Sequence, residues 1–320
     1  MHDKKIVILA TGGTIAGTAG STLDNIGYMA AQIGVRQLVK AVPPLASAHN
    51  LVLEQIAQID SKDMSFAVWT HLASRVKHFV ARGDVAGVVI THGTDTLEET
   101  AYFLHATLNP DKPVVLTCAM RPATSLVADG PQNLMDAVAV ASCAGARGVV
   151  AVCAGVVHSA VDVQKVHTYQ LNAFSSADAG PLGYVEENTL RLIRNWPSAQ
   201  QLRLIDAIEK IASGSPVQSW PWVEIVMSHA GASGRMVEAL VAQGVQALVL
   251  AGTGNGTAHH ALEAALLAAQ AGGVRVVRAT RCLNGRVLPK PDDLFEDSRG
   301  LSPVKARVAL ILELIAAQSR

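Results

Sequence analysis

The chain predicts an α/β fold, built as a larger N-terminal parallel-sheet domain followed by a smaller C-terminal α/β domain. Three observations carry that expectation. Short β-branched runs alternate with helical stretches through the first half of the sequence. That rhythm lapses from about Glu186 into a polar stretch punctuated by Pro197, Gly214 and Pro216, and then resumes to the end. With 320 residues, half of them hydrophobic, there is apolar surface for two cores or one large one.

Taken in order, the first half reads IVILA, GVRQLVKAV, LVLEQIA, MSFAVWTHLASRVKHFV, GVVITHG, LEETAYFLHATL, PVVLTCA, NLMDAVAVAS and GVVAVCAG. Apolar runs of strand length between helical patterns imply a parallel sheet with helices on both faces. The second region repeats the logic with VEIVMSHA, a helix from about Arg235, ALVLAG, a helix from about Ala258, VRVVRAT and a last helix near Pro303 to Ala317. The expected limits are 1–190 for the first domain, 191–218 for a linker and 219–320 for the second domain. No internal repeat is evident.

Lys plus Arg balances Asp plus Glu at 26 each, so no net field favours nucleic acid or an anionic membrane, and a small-molecule partner fits better. Cys118, Cys143, Cys153 and Cys282 form no C-x-x-C pair and are read as buried thiols with no bridge or metal role. Lys4, Lys5 and the run Ile6 to Ala10 leave no room for a signal peptide's apolar stretch, which predicts a cytoplasmic location. No run is long and apolar enough to predict a membrane span.

In an open parallel sheet, ligands bind beyond the C-terminal ends of the strands, so polar residues there matter most. The first such loop is Thr11-Gly12-Gly13-Thr14-Ile15-Ala16-Gly17, where paired glycines permit a sharp turn and present a hydroxyl. A later one is Thr91-His92-Gly93-Thr94-Asp95-Thr96, leading into Leu97-Glu98-Glu99. Thr96 or Asp95 could simply cap that helix, with the two glutamates complementing its dipole. Gly12, Gly13 and Gly17 do not match G-x-G-x-x-G, and no phosphate loop is present, so no nucleotide cofactor is expected.

ATGGTIAG at Ala10 to Gly17 and THGTDTLEETAYFL at Thr91 to Leu104 resemble the two signature segments of the bacterial-type asparaginase family. AMRPATSLVADGPQNL from Ala119, DVQK ending at Lys165, GPLGY from Gly180, GTGNG from Gly252 and PVKARV from Pro303 follow in family order, so the resemblance covers nearly the whole chain. It implies an amidohydrolase that converts L-asparagine to L-aspartate and ammonia, with L-glutamine a weaker substrate, no cofactor and no metal. Thr14 would be the nucleophile and Tyr28, on a flexible loop, the group that takes its proton. Thr94, Asp95 and Lys165 would form a second cluster, in which an ammonium favours deprotonation of the hydroxyl. Ser61, Lys62, Thr94, Asp95 and Asn255 would bind the substrate, and backbone N–H groups around Thr94 would supply an oxyanion hole. His92 is read as structural. The resemblance also implies a homotetramer assembled as a dimer of dimers.

Three departures from the family pattern stand out. Lys62 occupies a position where many members have Gln or Glu, and a cation there would repel a substrate ammonium. Arg281 to Asp293 contains no Glu where the family donates one across a dimer interface, which leaves Asp292, Asp293 or water to orient Tyr28. Thr257 replaces an Asn found in relatives. The Thr14–Tyr28 hydrogen bond is expected only in a closed, substrate-bound state, with Thr18 to Gly27 displaced otherwise. A glutaminase-asparaginase and a non-catalytic amino-acid-binding protein are the alternatives. The two amide substrates differ by one methylene, a margin of about 1 to 3 kcal/mol.

Overall fold

Strand β1 (Lys5–Gly12) is buried on both faces, as its near-continuous apolar run requires. A computed structural model describes residues 4–48, 50–197, 204–213 and 219–318, and the chain divides into two compact units, Met1–Ile205 and Asp206–Arg320. After β1 the first unit runs through α1 (Val35–Lys40), α2 (Pro43–Ala48), β2 (Leu51–Ile59), α3 (Phe66–Val80), β3 (Val85–Thr91), α4 (Leu97–Leu108), β4 (Pro113–Thr117) and α5 (Gly130–Ser142). It continues with β5 (Gly148–Cys153), β6 (Val156–Ser159), β7 (Gln164–Lys165), β8 (Phe174–Ser175), β9 (Gly183–Glu186) and β10 (Thr189–Leu192).

The main sheet has 8 strands in the order β10-β9-β6-β5-β4-β3-β1-β2. Strands β2, β1, β3, β4 and β5 run parallel, as expected. The sheet is nevertheless mixed, because β6, β9 and β10 join antiparallel to their neighbours. The cause is local. Ala154 and Gly155 between β5 and β6, and Glu187 and Asn188 between β9 and β10, all take positive φ, and two-residue turns of that kind close only antiparallel hairpins.

Period-two alternation splits β1 between two layers. Ile6, Ile8 and Ala10 join a core with Val35 and Val39 of α1, Leu45 of α2 and Leu134, Ala137 and Val138 of α5. Val7 and Leu9, also inaccessible, face the opposite side, where α3 and α4 pack on the sheet. α3 is amphipathic, burying Trp69, Leu72, Ala73, Val76 and Phe79 at helical spacing, and the Ser65 side chain accepts from Val68 N at its start.

The second unit contains α6 (Ile205–Ala212), β11 (Val223–Met227), α7 (Arg235–Ala242), β12 (Ala247–Gly252), α8 (His260–Ala271), β13 (Arg275–Thr280), β14 (Glu296–Asp297) and α9 (Pro303–Gln318). Its 4-stranded sheet, β11-β12-β13-β14, is parallel throughout. Side chains of α7 and α8 share a core with Val226, Leu248, Leu250 and Val276. α6 lies inside the 191–218 stretch read as linker, and residues 198–203 and 214–218 of that stretch lie outside the described residues.

The turns that leave β1 and β3 touch backbone to backbone. Gly13, just past β1, has φ 78° and ψ −170°, and a methyl there would sit 2.3 Å from Gly93 Cα, just past β3. Only glycine takes that backbone conformation without strain. Gly13→Ala is therefore expected to lower the unfolding free energy by about 3 kcal/mol, read as a shift in urea midpoint. A shift of under a third of that value would mean the two turns can separate without loss.

Candidate active site

Thr14 opens a short 3-10 turn, Thr14–Ala16, and is 6% exposed. Its hydroxyl lies 2.6 Å from the Tyr28 phenol oxygen, within the range of a strong O–H···O bond. The Tyr28 ring reaches it by lying over Gly17, where a methyl would come within 2.9 Å of Tyr28 Cδ2 and 3.0 Å of Thr14 O. Thr18 and Met29 bond each other's backbone at 2.9 Å, and the Asp24 carboxylate accepts from Ile26 N and Gly27 N. Those two N–H groups hold the Asp24 carboxyl below its ordinary range.

The second cluster forms around Thr94, also 6% exposed. The Lys165 ammonium donates to Thr94 Oγ1 at 2.8 Å and to Asp95 Oδ1 at 2.6 Å. The Asp95 side chain is half exposed, that of Lys165 less so. Lys165 sits on β7, paired to Phe174 of β8, which fixes its backbone outside the main sheet. Ser61 is buried, and its Oγ accepts from Asp95 N at 3.2 Å. Thr96 does not cap α4. Its hydroxyl donates instead to Ser61 O at 2.7 Å, and no side-chain cap bond exists there. The helix-cap reading of Thr96 thus gives way to one in which the loop after β3 is tied to the Ser61 turn.

Beneath this cluster lies a relay that sequence reasoning did not find. Trp69 Nε1 donates to Thr100 Oγ1 at 2.8 Å, and Thr100 is 3.0 Å from His92 Nε2. His92 Nδ1 is 2.7 Å from Gly93 O. A carbonyl can only accept, so Nδ1 carries the proton, and the Thr100 hydroxyl must donate to Nε2. The imidazole is neutral and fully buried, and burial pushes its pKa down to about 4. Both ring nitrogens of His92 are bonded within the protein. The ring braces the Gly93 carbonyl from below.

Two predicted binding residues are engaged elsewhere. The Lys62 ammonium pairs with Asp60 Oδ2 at 2.9 Å and Asp63 Oδ2 at 3.2 Å, hydrogen bonds that raise its pKa. In the second unit, Asn255 Nδ2 donates to Leu288 O at 3.1 Å and its Oδ1 accepts from Leu288 N at 2.7 Å, so the amide pins the 283–290 loop. Thr257 hydrogen-bonds Thr253 across the same turn. The Asp293 carboxylate accepts from Lys290 N and from Arg278, which holds its pKa low. Among the thiols, Cys118 and Cys153 are buried with Sγ atoms 3.4 Å apart, but Cys143 is partly accessible and Cys282 is exposed, contrary to the uniform burial expected.

Comparison with known proteins settles the family. The family model described as Asparaginase, N-terminal, matches residues 5–198, and that for the Glutaminase/Asparaginase C-terminal domain matches residues 222–320. The chain belongs to the asparaginase family. Asparaginase relatives include L-asparaginase 2 of Escherichia coli (strain K12), 40% identical over 97% of this chain and 88% of that protein. Glutaminase-asparaginase of Pseudomonas fluorescens biotype A is 38% identical over 98% of this chain and 87% of the relative. A crystal structure described as a probable cytoplasmic L-asparaginase from Campylobacter jejuni superposes with a TM-score of 0.91 at 38% identity, covering 98% of this chain and 96% of that one. No helix among the described residues is long and apolar enough to cross a membrane.

The depressed His92 pKa makes a testable statement about stability. An unfolded histidine titrates near 6.5 and the folded one near 4, so the unfolded chain binds the extra proton between those values. Stability from this group is fully present above pH 6.5 and falls as pH drops toward 4, by on the order of 3 kcal/mol in total. Urea denaturation from pH 7 to 4 is expected to show that slope, and His92→Gln to flatten it. An unchanged slope in the variant would assign the acid sensitivity to other groups.

Proposed function

We propose that this chain is an L-asparaginase, hydrolysing L-asparagine to L-aspartate and ammonia through a threonine acyl-enzyme. The observation that carries the reading is the pair of buried threonines, each with its own polar partner, on the turns after β1 and β3. Thr14 Oγ1 attacks the side-chain amide carbon while its proton passes to the Tyr28 oxygen 2.6 Å away and the phenol's own proton moves on to the amide nitrogen, so that Tyr28 ends the step as a phenol again. Collapse of the tetrahedral intermediate breaks the bond to the nitrogen so protonated, releases ammonia and leaves the acyl group esterified to Thr14. Water then attacks the ester, aspartate departs and the Thr14 hydroxyl is restored.

In this reading the Lys165 ammonium and Asp95 carboxylate flank Thr94 and stabilise charge that develops as water is activated beside it. Ser61 and Asp95 meet the substrate's α-carboxylate and α-amino groups. Backbone N–H groups around Thr94 receive the developing oxyanion. Glutamine is the weaker substrate, consistent with relatives named glutaminase-asparaginase, since one extra methylene separates the two amides. The cytoplasm is the proposed location, in line with the description of the Campylobacter jejuni structure. A homotetramer is the proposed assembly. Exposed Leu283, Leu288 and Leu294 offer apolar surface for a subunit contact.

Ammonia release from purified protein tests the activity, with asparagine and glutamine at equal concentration. Thr14→Ala is expected to fold and to lose at least about a thousandfold in kcat, because the ester-forming oxygen is gone. Turnover within tenfold of wild type by that variant would remove Thr14 as nucleophile. Lys165→Met should drop kcat by about a hundredfold or more, since the Thr94–Asp95 pair loses its counter-charge. Tyr28→Phe should lower kcat far more than it raises KM. A normal kcat in that variant would move the base elsewhere.

A further inference from the structure

We infer that Thr124 and Ser125 are positioning residues that hold Tyr28 against Thr14, acting through the loop that carries Tyr28; the inference rests on the amide-hydrolase reading of the site. Residues 17–28 form a lid whose neck is closed by the Thr18–Met29 backbone pair. That neck does not fix the outer turn. The outer turn is held by a second strip of chain about a hundred residues away, through four cross-bonds: Ala123 N to Gly17 O at 2.9 Å, Ala19 N to Thr124 Oγ1 at 2.8 Å, Leu126 N to Thr22 O at 2.9 Å, and Ser125 Oγ to Asn25 Oδ1 at 2.8 Å. Two of the four need a side-chain hydroxyl.

The strip itself is rigidly founded. The Asp129 carboxylate accepts from Met120 N at 2.9 Å and Arg121 N at 3.0 Å, and Asn133 Nδ2 donates to Cys118 O at 2.9 Å, so both ends of the 119–129 loop are tied to the start of α5. The same strip supports the nucleophile's own turn, because Ile15, next to Thr14, shares a buried cluster with Ala119 of the loop and packs on Gly130 where the loop enters α5, a methyl there coming within 2.9 Å of Ile15 Cγ1. One piece of chain therefore references both partners of the 2.6 Å Thr14–Tyr28 contact to the same frame. Proton transfer along a hydrogen bond is sensitive to misplacement of this kind, whereas Ser61 and Asp95 lie off the lid. Loosening the strip should therefore act on kcat and leave KM largely alone.

The test is T124V/S125A, which keeps shape while removing both hydroxyls, beside T124S/S125T, which keeps the hydroxyls. Asn25→Ala removes the Ser125 bond from the lid side and serves if the double variant does not fold. Three quantities are read on the full chain: kcat and KM for ammonia release from asparagine, and the rate of chymotryptic cleavage after Leu23, which is 77% exposed on the lid. Loss of the two bonds is expected to lower kcat about tenfold, to move KM by less than about twofold and to speed cleavage about tenfold. Asn25→Ala should change each in the same direction by a smaller factor, and T124S/S125T should stay within about twofold of wild type. An unchanged kcat in T124V/S125A, or in Asn25→Ala where the double variant fails to fold, overturns the positioning role, with or without faster cleavage. Wild-type protein that leaves asparagine intact would refute the proposed activity instead. Cleavage then decides the strip by itself, and an unchanged rate overturns it.

Discussion

The contact between Gly13 and Gly93 sets the dimensions of everything around it. β1 and β3 are hydrogen-bonded neighbours, so the turns leaving their C-terminal ends compete for the same space. Without side chains, the two backbones approach until a methyl on Gly13 would overlap Gly93. Gly93 meets Ser61 just as closely, a methyl there falling 2.4 Å from Ser61 Oγ. Three segments thus converge on two glycines, and the residues immediately after those glycines are Thr14 and Thr94. The hydroxyls are held by backbone packing, which is stiffer than any side-chain hydrogen bond available to them.

Polar groups around this junction are sorted by charge. Below it, the Trp69–Thr100–His92 relay is neutral, with one donor for each acceptor, so it can be buried without a charge to compensate. Above it, Lys165 and Asp95 are both ionic and both partly open to solvent. Burying that pair completely would impose a desolvation penalty comparable to the attraction gained. Left at the rim, the Lys165 side chain still reaches Thr94 Oγ1 at 2.8 Å.

How much of this is legible in the sequence depends on how local each interaction is. The five parallel strands are legible because hydrophobic runs and intervening helices leave a periodic trace. Thr14, Tyr28, Ser61, Thr94, Asp95 and Lys165 are legible through the family's motifs, and the structure joins them into two hydrogen-bonded groups. The antiparallel edge escapes sequence reading because its turns carry only a weak signal, Ala-Gly and Glu-Asn being ordinary beside the Asn-Gly that marks most such hairpins. The lid escapes it too, since a Gly-rich, polar segment looks mobile by composition. It is bonded in part by Thr124 and Ser125, and a bond spanning a hundred residues leaves no pattern at either end.

Lys62 illustrates why residue type alone misleads about electrostatics. Considered as a lone cation beside Ser61, it should repel a substrate's ammonium. In the fold it sits between Asp60 and Asp63, and two carboxylates with one ammonium leave the cluster with one net negative charge. Solvent screens such exposed groups strongly, so the residual field at the site is small, and its sign favours an ammonium. Asn255 and Asp293 follow the same rule in the second unit, where each is hydrogen-bonded by its own neighbours. Departures from a family pattern therefore have to be weighed with the partners that accompany them. Here the added cation is paired with two aspartates that sit on either side of it in the same turn, and the neighbouring Ser61 is bonded to Asp95 N.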